Sequence, residues 1–431
     1  IVFAATLVPA GRWADRVGRR LMFGIGLAAF TAGSALCAVA PGVDALIGAR
    51  VIQAIGAGAM VPTSLSLLLA IVPPADRAKA IGTWAAVGAM AAAFGPVAGG
   101  LLVQASWRWV FGVNIPFGIV ALLAVRRVLP ESRDPLAQHR PDALGAGFVA
   151  LGVGAVALGL VESPDWGWAS ARVLGLYAAA LVAVGVVLWR STRHPSPVVE
   201  MSMLRVRSFS GAVAASILYY AGFSAWLLNL VEYLTGEWHY SAIRAGLAIA
   251  PGPLMVLPFA RIVAPRLAPR IGGAGRVAML GCLVNAGAQL LWFTRMQSHP
   301  SYLTHLLPIQ ILGGIGVGLV IPSLLGAGTM SLPPARFGAG SGVLNMARQL
   351  GAVLGVAGLV AILATHTADP LDVYKHGSLL GIGFYVAAAL VAAFVIPRVT
   401  PGPVILTEPE ELVRAVEADV ADAAALDGVS G

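Results

Sequence analysis

Gly11-Arg12-Trp13-Ala14-Asp15-Arg16-Val17-Gly18-Arg19-Arg20 decides the fold of this chain. It is a charged knot between two apolar runs, Ile1–Ala10 and Leu21–Ala40, and neither run contains a charge. Two apolar segments joined by a tight, arginine-rich loop describe two membrane helices turning at a cytoplasmic face. Gly11 and Gly18 permit close backbone approach and a tight turn. Asp15 is an anion placed among cations, where it can pair with arginine or accept from a helix terminus.

The rest of the sequence extends this pattern. Of 431 residues, 58% are hydrophobic and 11% charged, against about 25% charge in a soluble domain. With a mean hydropathy of +0.84, the chain is expected to be an all-α polytopic membrane protein. Further apolar spans of near-membrane length fall at Ala45–Val72, Ala80–Val103, Val110–Val125, Ala143–Val161, Val173–Leu188, Phe209–Leu234 and Ala245–Val263. Four more follow at Val277–Phe293, Leu303–Met330, Gly338–Ala364 and Ser378–Pro397. That makes about 13 spans, the first incomplete: ten helical residues reach only about 15 Å, half of the ~30 Å hydrocarbon core. A first helix is therefore expected upstream of Ile1.

If Gly11–Arg20 is cytoplasmic, about 21 of the 28 basic residues fall on that side with the carboxyl tail. The opposite loops hold Arg108, Arg172, Arg244, Arg295 and Lys375, and Arg50 and Arg348 lie inside spans. The net charge of +8 thus reflects topology, and no nucleic-acid partner is expected. Cys37 and Cys282 both sit in apolar runs, so neither a disulfide framework nor a metal site is indicated. No nucleophile–base pair or phosphate loop points to an enzyme. The tail from Thr400 turns acidic, and Thr407-Glu408-Pro409-Glu410 has the form of a capping box that would open a short helix.

Gly11–Arg20 closely resembles the loop between the second and third helices of major facilitator superfamily transporters. There the loop acts as a latch closing the cytoplasmic side, which would give Gly11, Asp15, Arg16, Gly18, Arg19 and Arg20 that role. A partial echo, Arg261 to Arg270, places Arg266 and Arg270 250 residues after Arg16 and Arg20, with Pro265 in place of the aspartate. Related halves leave such repeats. Arg50-Val-Ile-Gln53 is similar to a fourth-helix signature associated with proton coupling, with Ala54 where the family has glycine. Gly95-Pro96-Val-Ala-Gly99-Gly100 resembles the antiporter motif of exporters. Trp107 to Gly118, with Arg108 and Asn114 inside it, and Asn345-Met-Ala-Arg348-Gln349 resemble the fourteen-helix drug:proton antiporter branch.

The resemblance implies two six-helix halves, 1–127 and 207–397, two extra linker helices at 142–190, and an acidic cytoplasmic tail at 400–431. It implies a proton-coupled exporter of drugs or small amphipathic compounds in a bacterial inner membrane, monomeric and driven by a proton gradient without a cofactor. Export of an endogenous metabolite or lipid precursor and a transport-inactive membrane protein stay open as alternatives. Proton antiport needs a carboxylate that titrates near working pH. Glu232 is the membrane-adjacent candidate here, to act with Arg50. Gln53, Asn114, Tyr219, Tyr220, Trp226, Asn229, Asn285, Gln289, Gln310, Asn345 and Arg348 are candidates for a cavity wall.

Overall fold

A computed structural model of the chain describes residues 1–73, 87–88, 91, 95, 98–133, 141–332, 337–364 and 370–397. Hydrocarbon offers no water to backbone N–H and C=O groups, so apolar runs satisfy their hydrogen bonds internally, as helices. The helices are α1 (Val2–Val17), α2 (Arg19–Ala38), α3 (Val43–Ile71) and α4 (Asn114–Val128). Next come α5 (Ala143–Trp166), α6 (Ala171–Arg193), α7 (Arg207–Gly236) and α8 (Ala242–Ile271). The last four are α9 (Ala274–Arg295), α10 (Tyr302–Thr329), α11 (Phe337–Leu363) and α12 (Pro370–Phe394). Residues 98–105 are also helical. Among the described residues, ten helices are long and apolar enough to cross a membrane: α2, α3 and α5 to α12. The chain is a multi-pass membrane protein. The tail at 400–431, most of the Ala80–Val103 span and Pro96 lie outside the described residues.

Local chemistry sets the helix boundaries. The first N–H groups of a helix have no partner within it, and a side-chain oxygen just ahead of them supplies one. Asp142 accepts from the Gly145 N–H at 2.8 Å ahead of α5, Ser170 from Val173 at 3.3 Å ahead of α6, and Ser241 from Arg244 at 3.3 Å ahead of α8. Within α8 the prolines remove ladder donors, and after Pro258 the backbone widens into a π turn over Phe259–Val263 before the helix resumes.

The later helices pack tightly around α7, which contacts α10, α11 and α12. Its seam with α11 rests on Gly351 and Gly355, one helical turn apart. A Cβ added to them would stand 2.1 Å from the Ile217 carbonyl oxygen and 2.0 Å from that of Ala221. Only glycine lets the two backbones come this close, and such small-residue seams suit helices that gain little from hydrophobic burial in lipid. Phe209, Tyr219 and Tyr385 fill the core alongside this seam. Toward the amino end, α2 packs on α3 and α4, while α5, which pairs with α6, lies against α1 and α11.

Two expected loops prove to be helix. The arginine-rich stretch does not turn at Gly11: α1 continues through Asp15 to Val17, and α2 restarts at Arg19. The whole turn is Gly18, at φ +127°, ψ +129°. Likewise α8 runs through Arg266 and Arg270 to Ile271, and Gly272 and Gly273, both at positive φ, make its turn. With the two turns superimposed, Arg270 matches Arg16, Arg266 matches Arg12, and Pro269 stands in place of Asp15. The echo is therefore displaced by one helical turn from its sequence register, because arginines repeat at four-residue spacing. The carboxylate is absent from the second copy in either register.

Gly18→Ala tests this joint. Its φ/ψ is closed to L-residues at about 1–3 kcal/mol, and the new Cβ would stand 2.7 Å from the Glu131 carboxylate. The thermal midpoint of the purified protein is expected to fall. Gly42→Ala, at an extended φ of −163° with open space around it, is expected to leave that midpoint unchanged.

Candidate functional site

The turn at Gly18 is held by the segment that follows α4. The Arg19 N–H donates to the Ser132 carbonyl at 2.9 Å, and the Arg20 N–H donates to Glu131 Oε1 at 3.0 Å. Both are first-turn donors of α2 with no partner inside the helix, so Glu131 places a negative charge at the positive end of the α2 dipole. The Arg20 guanidinium adds a bond to the Leu129 carbonyl at 3.2 Å, and its Nε lies 3.8 Å from Glu131. Asp15 pairs across the turn with Arg19 at 2.9 Å. Asp15 is thus one of two anions at this turn, and the second arrives from 111 residues away.

A second set of charges ties α1 to the segment between α6 and α7. Arg12 donates to Glu200 Oε1 at 2.5 Å and to the Ser196 hydroxyl at 2.7 Å. The Ser196 carbonyl accepts from the Asp142 N–H at 3.1 Å, and Asp142 grips Arg190 through both carboxylate oxygens. Burial pushes the Asp142 carboxyl up. The Arg190 hydrogen bonds, the Gly145 N–H and the charges of Arg190 and His194 outweigh burial and hold it below the ordinary range. Beside this clasp, Val8 of α1 packs into the core with Val343 and Met346 of α11.

Within the spans, polar groups gather in two places. In the first, Arg50 donates to Gln53, Gln53 donates to the Ser34 hydroxyl at 2.7 Å, and Asn114 donates to the same hydroxyl at 3.4 Å. The Arg50 guanidinium lies 5.5 Å from the Phe111 ring centre. In the second, Arg348 donates to Asn345 Oδ1 at 3.2 Å and stacks over Tyr220 at 4.6 Å. Tyr220, Phe223 and Trp226 follow one another along α7 in ring contact.

The other sequence candidates serve the packing of helices. Asn229 donates to the Tyr374 carbonyl at 2.9 Å, Gln310 to the Ile249 carbonyl at 3.0 Å, and Asn285 to the Tyr219 hydroxyl at 3.1 Å. Gln289 is buried with no hydrogen-bond partner among the described residues. Glu232 is exposed on α7, and no ion pair joins it to Arg50, whose contacts are Gln53 and Phe111. Of the antiporter motif, Gly95, Gly99 and Gly100 are helical. Among the described residues, Gly100 makes a tight crossing, its virtual Cβ 2.8 Å from the Ala242 carbonyl at the start of α8. Sequence alone did not single out Ser34, Glu131, Ser196 or Glu200. They are ordinary polar residues whose partners lie far along the chain.

A model of the Major Facilitator Superfamily matches residues 1–356. The chain is 33% identical to the puromycin resistance protein pur8 of Streptomyces alboniger, over 91% of this chain and 80% of that protein. It is 31% identical to the multidrug resistance protein Stp of Mycobacterium tuberculosis (strain CDC 1551 / Oshkosh), over 86% of this chain and 68% of that protein. It is 29% identical to the tetracenomycin C resistance and export protein of Streptomyces glaucescens, over 93% and 74%. Among solved structures, a POT family transporter in complex with 5-aminolevulinic acid has the same fold at 16% identity, with a TM-score of 0.65 over 93% of this chain and 87% of that one.

The Asp142–Arg190 clasp carries a pH signature. A carboxyl lowered by folding contributes stability above its unfolded pKa and loses it as pH falls through the folded value. Arg190→Gln leaves Asp142 buried without its cation, at a cost on the order of 3 kcal/mol near neutrality. The deficit in thermal midpoint against the parent is expected to narrow as pH drops through the carboxylate range. A deficit constant from pH 7 to pH 3 would contradict this.

Proposed function

We propose that this chain, which belongs to the Major Facilitator Superfamily, is an exporter of drugs or other small amphipathic compounds that exchanges them for protons by alternating access. Its place is the bacterial inner membrane, with the carboxyl tail in the cytoplasm and the Gly18 joint on the cytoplasmic face. The proposal keeps a division into halves at 1–127 and 207–397 with an extra helix pair at 142–190, as in the fourteen-helix branch. Support for export comes from relatives named for resistance and export, at about one-third identity over most of the chain. Support for the mechanism rests on one observation above the others. Arg12, Arg19 and Arg20 at one end of α1 and the start of α2 have carboxylate partners, whereas the two arginines inside spans, Arg50 and Arg348, have none among the described residues.

That division suits a transporter. Paired charges at a membrane face can hold one conformation and release it at modest cost, since ion pairs near water are worth about 1 kcal/mol or less each. A cation inside a span is expensive and marks a pathway or a proton site. Arg50 takes the coupling role. Its charge lowers the pKa of an acidic group that approaches it during the cycle and so discharges a proton. Glu232, exposed on α7, is retained only as the outer acidic candidate. Asp15, Arg16, Gly18, Arg19 and Arg20 form the latch, with Gly11 inside α1, and Gly95, Pro96, Gly99 and Gly100 form the exporter motif.

Efflux of ethidium from proteoliposomes under an imposed pH gradient tests this proposal in the full-length transporter. Arg50→Ala is expected to lower proton-driven efflux by at least tenfold while dye binding without a gradient persists. Arg50→Lys keeps the charge but not the planar fork, and is expected to retain part of the activity. Efflux by Arg50→Ala at the parental rate would make Arg50 structural. Efflux indifferent to the gradient in the parent would remove proton coupling.

A further inference from the structure

We infer that the groove between α2 and α4 beside the Gly18 joint holds one anionic phospholipid, with its phosphate on Arg20 and an acyl chain along the apolar walls. The inference goes beyond the export reading and stands whatever the transporter carries.

The two helices cross closely at Gly118, where an added Cβ would stand 2.1 Å from Thr31 Oγ1. Toward the joint they part: a Cβ on Gly24 would meet nothing nearer than Val125, at 4.0 Å. The groove so opened has a volume of about 620 Å³, within the ~300–1,000 Å³ of small-molecule sites. Arg20 and Glu131 stand at one end, and Leu21, Ile25, Leu122 and Val125 make its apolar walls. Gly24 and Ala28, one and two turns beyond Arg20, leave the room because they carry almost no side chain, and the groove follows α2 for about 12 Å. It opens toward lipid. Leu21 and Ile25 are exposed, and α3 packs on the opposite side of α2, at Gly26 and Gly33.

The charges at the mouth select the headgroup. The spanning helix begins at Arg19, which puts the Arg20 guanidinium at the membrane interface. Its Nη1 donates to the Leu129 carbonyl, and its Nε lies 3.8 Å from Glu131, beyond hydrogen-bond reach. Nε and Nη2 thus have no hydrogen bond among the described residues and can take a phosphate as a fork. Glu131 is engaged by the N–H groups of Arg20 and Ser132, which offsets its charge. Around the joint, Arg16, Arg19, Arg20, Arg127 and Arg133 stand against two carboxylates among the described residues, Asp15 and Glu131. That excess favours a headgroup of net negative charge over a zwitterionic one, as in other basic pockets between membrane helices.

Native mass spectrometry of the full-length transporter, titrated with dioleoylphosphatidylglycerol or dioleoylphosphatidylcholine, tests the site. The parent is expected to hold its first phosphatidylglycerol at least tenfold more tightly than its first phosphatidylcholine. Arg20→Gln should cut that preference by about fivefold, the worth of one cation at a membrane surface. Ala28→Phe fills the groove from an exposed position away from the charges. It is expected to weaken both lipids together, and it supplies the test if Arg20→Gln does not give a monodisperse protein. Leu181→Phe, on the exposed face of α6, should change neither affinity. Equal affinities in the parent, the outcome if another segment of the transporter fills the groove, would overturn the site. So would an unchanged preference in Arg20→Gln or unchanged binding in Ala28→Phe.

Discussion

Everything in this structure answers to the cost of placing charge in or near hydrocarbon. Backbone polar groups settle it by forming helices, and Arg12, Arg19, Arg20 and Arg190 settle it by finding carboxylates. At the Gly18 joint the solution is compact: Glu131 caps α2, Asp15 crosses to Arg19, and a single glycine supplies the turn. About one turn before Asp15 in α1, Arg12 carries the same logic to Glu200 and Ser196. The carboxyl end of α1 is thereby fastened both to the end of α4 and to the segment leading into α7.

This arrangement connects packing to movement. The seam of α7 and α11 on Gly351 and Gly355 is backbone against backbone, and such a contact does not slide by small steps. The contacts of α1 with α11 and with the 194–206 segment are of another kind, made by Val8, a few hydrogen bonds and half-exposed ion pairs. Each is worth little alone, so the group as a whole is poised between holding and releasing. Rigid seams with a weakly fastened face between them are what alternating access by rocking requires.

Much of the fold was legible in the sequence because hydrocarbon imposes so few solutions. Uncharged runs of membrane length became helices, and the expected spans match α2 to α12 to within a few residues at most ends. The loops were less legible, because arginine-rich stretches such as 11–20 and 261–270 are hydrophilic without being irregular. Their helicity continues until a glycine stops it, and nothing in their polarity marks that point. The near-repeat of arginines every four residues also blurred the register of the echo, which the turns at Gly18 and Gly272 resolve. The site was half legible. Arg50 and Arg348 announced themselves as charges within spans, and Asp15 stands four residues from Arg19, but Glu131 and Glu200 stand 111 and 188 residues from their arginines. No local spacing encodes such pairs. Asn229 and Gln310 showed the opposite limit, since a polar residue that bridges two helices reads the same as one that lines a cavity.

The central claim is that the paired charges on α1 hold the cytoplasmic face closed. Pulsed EPR on spin labels at the exposed positions Arg16 and Arg205 measures that face directly, one label beside the joint and the other in the segment that Arg12 grips. The parent is predicted to give one short distance, and Arg12→Ala a second, longer population. A single unchanged distance in Arg12→Ala would contradict the claim and reduce the charge cluster to a topology signal.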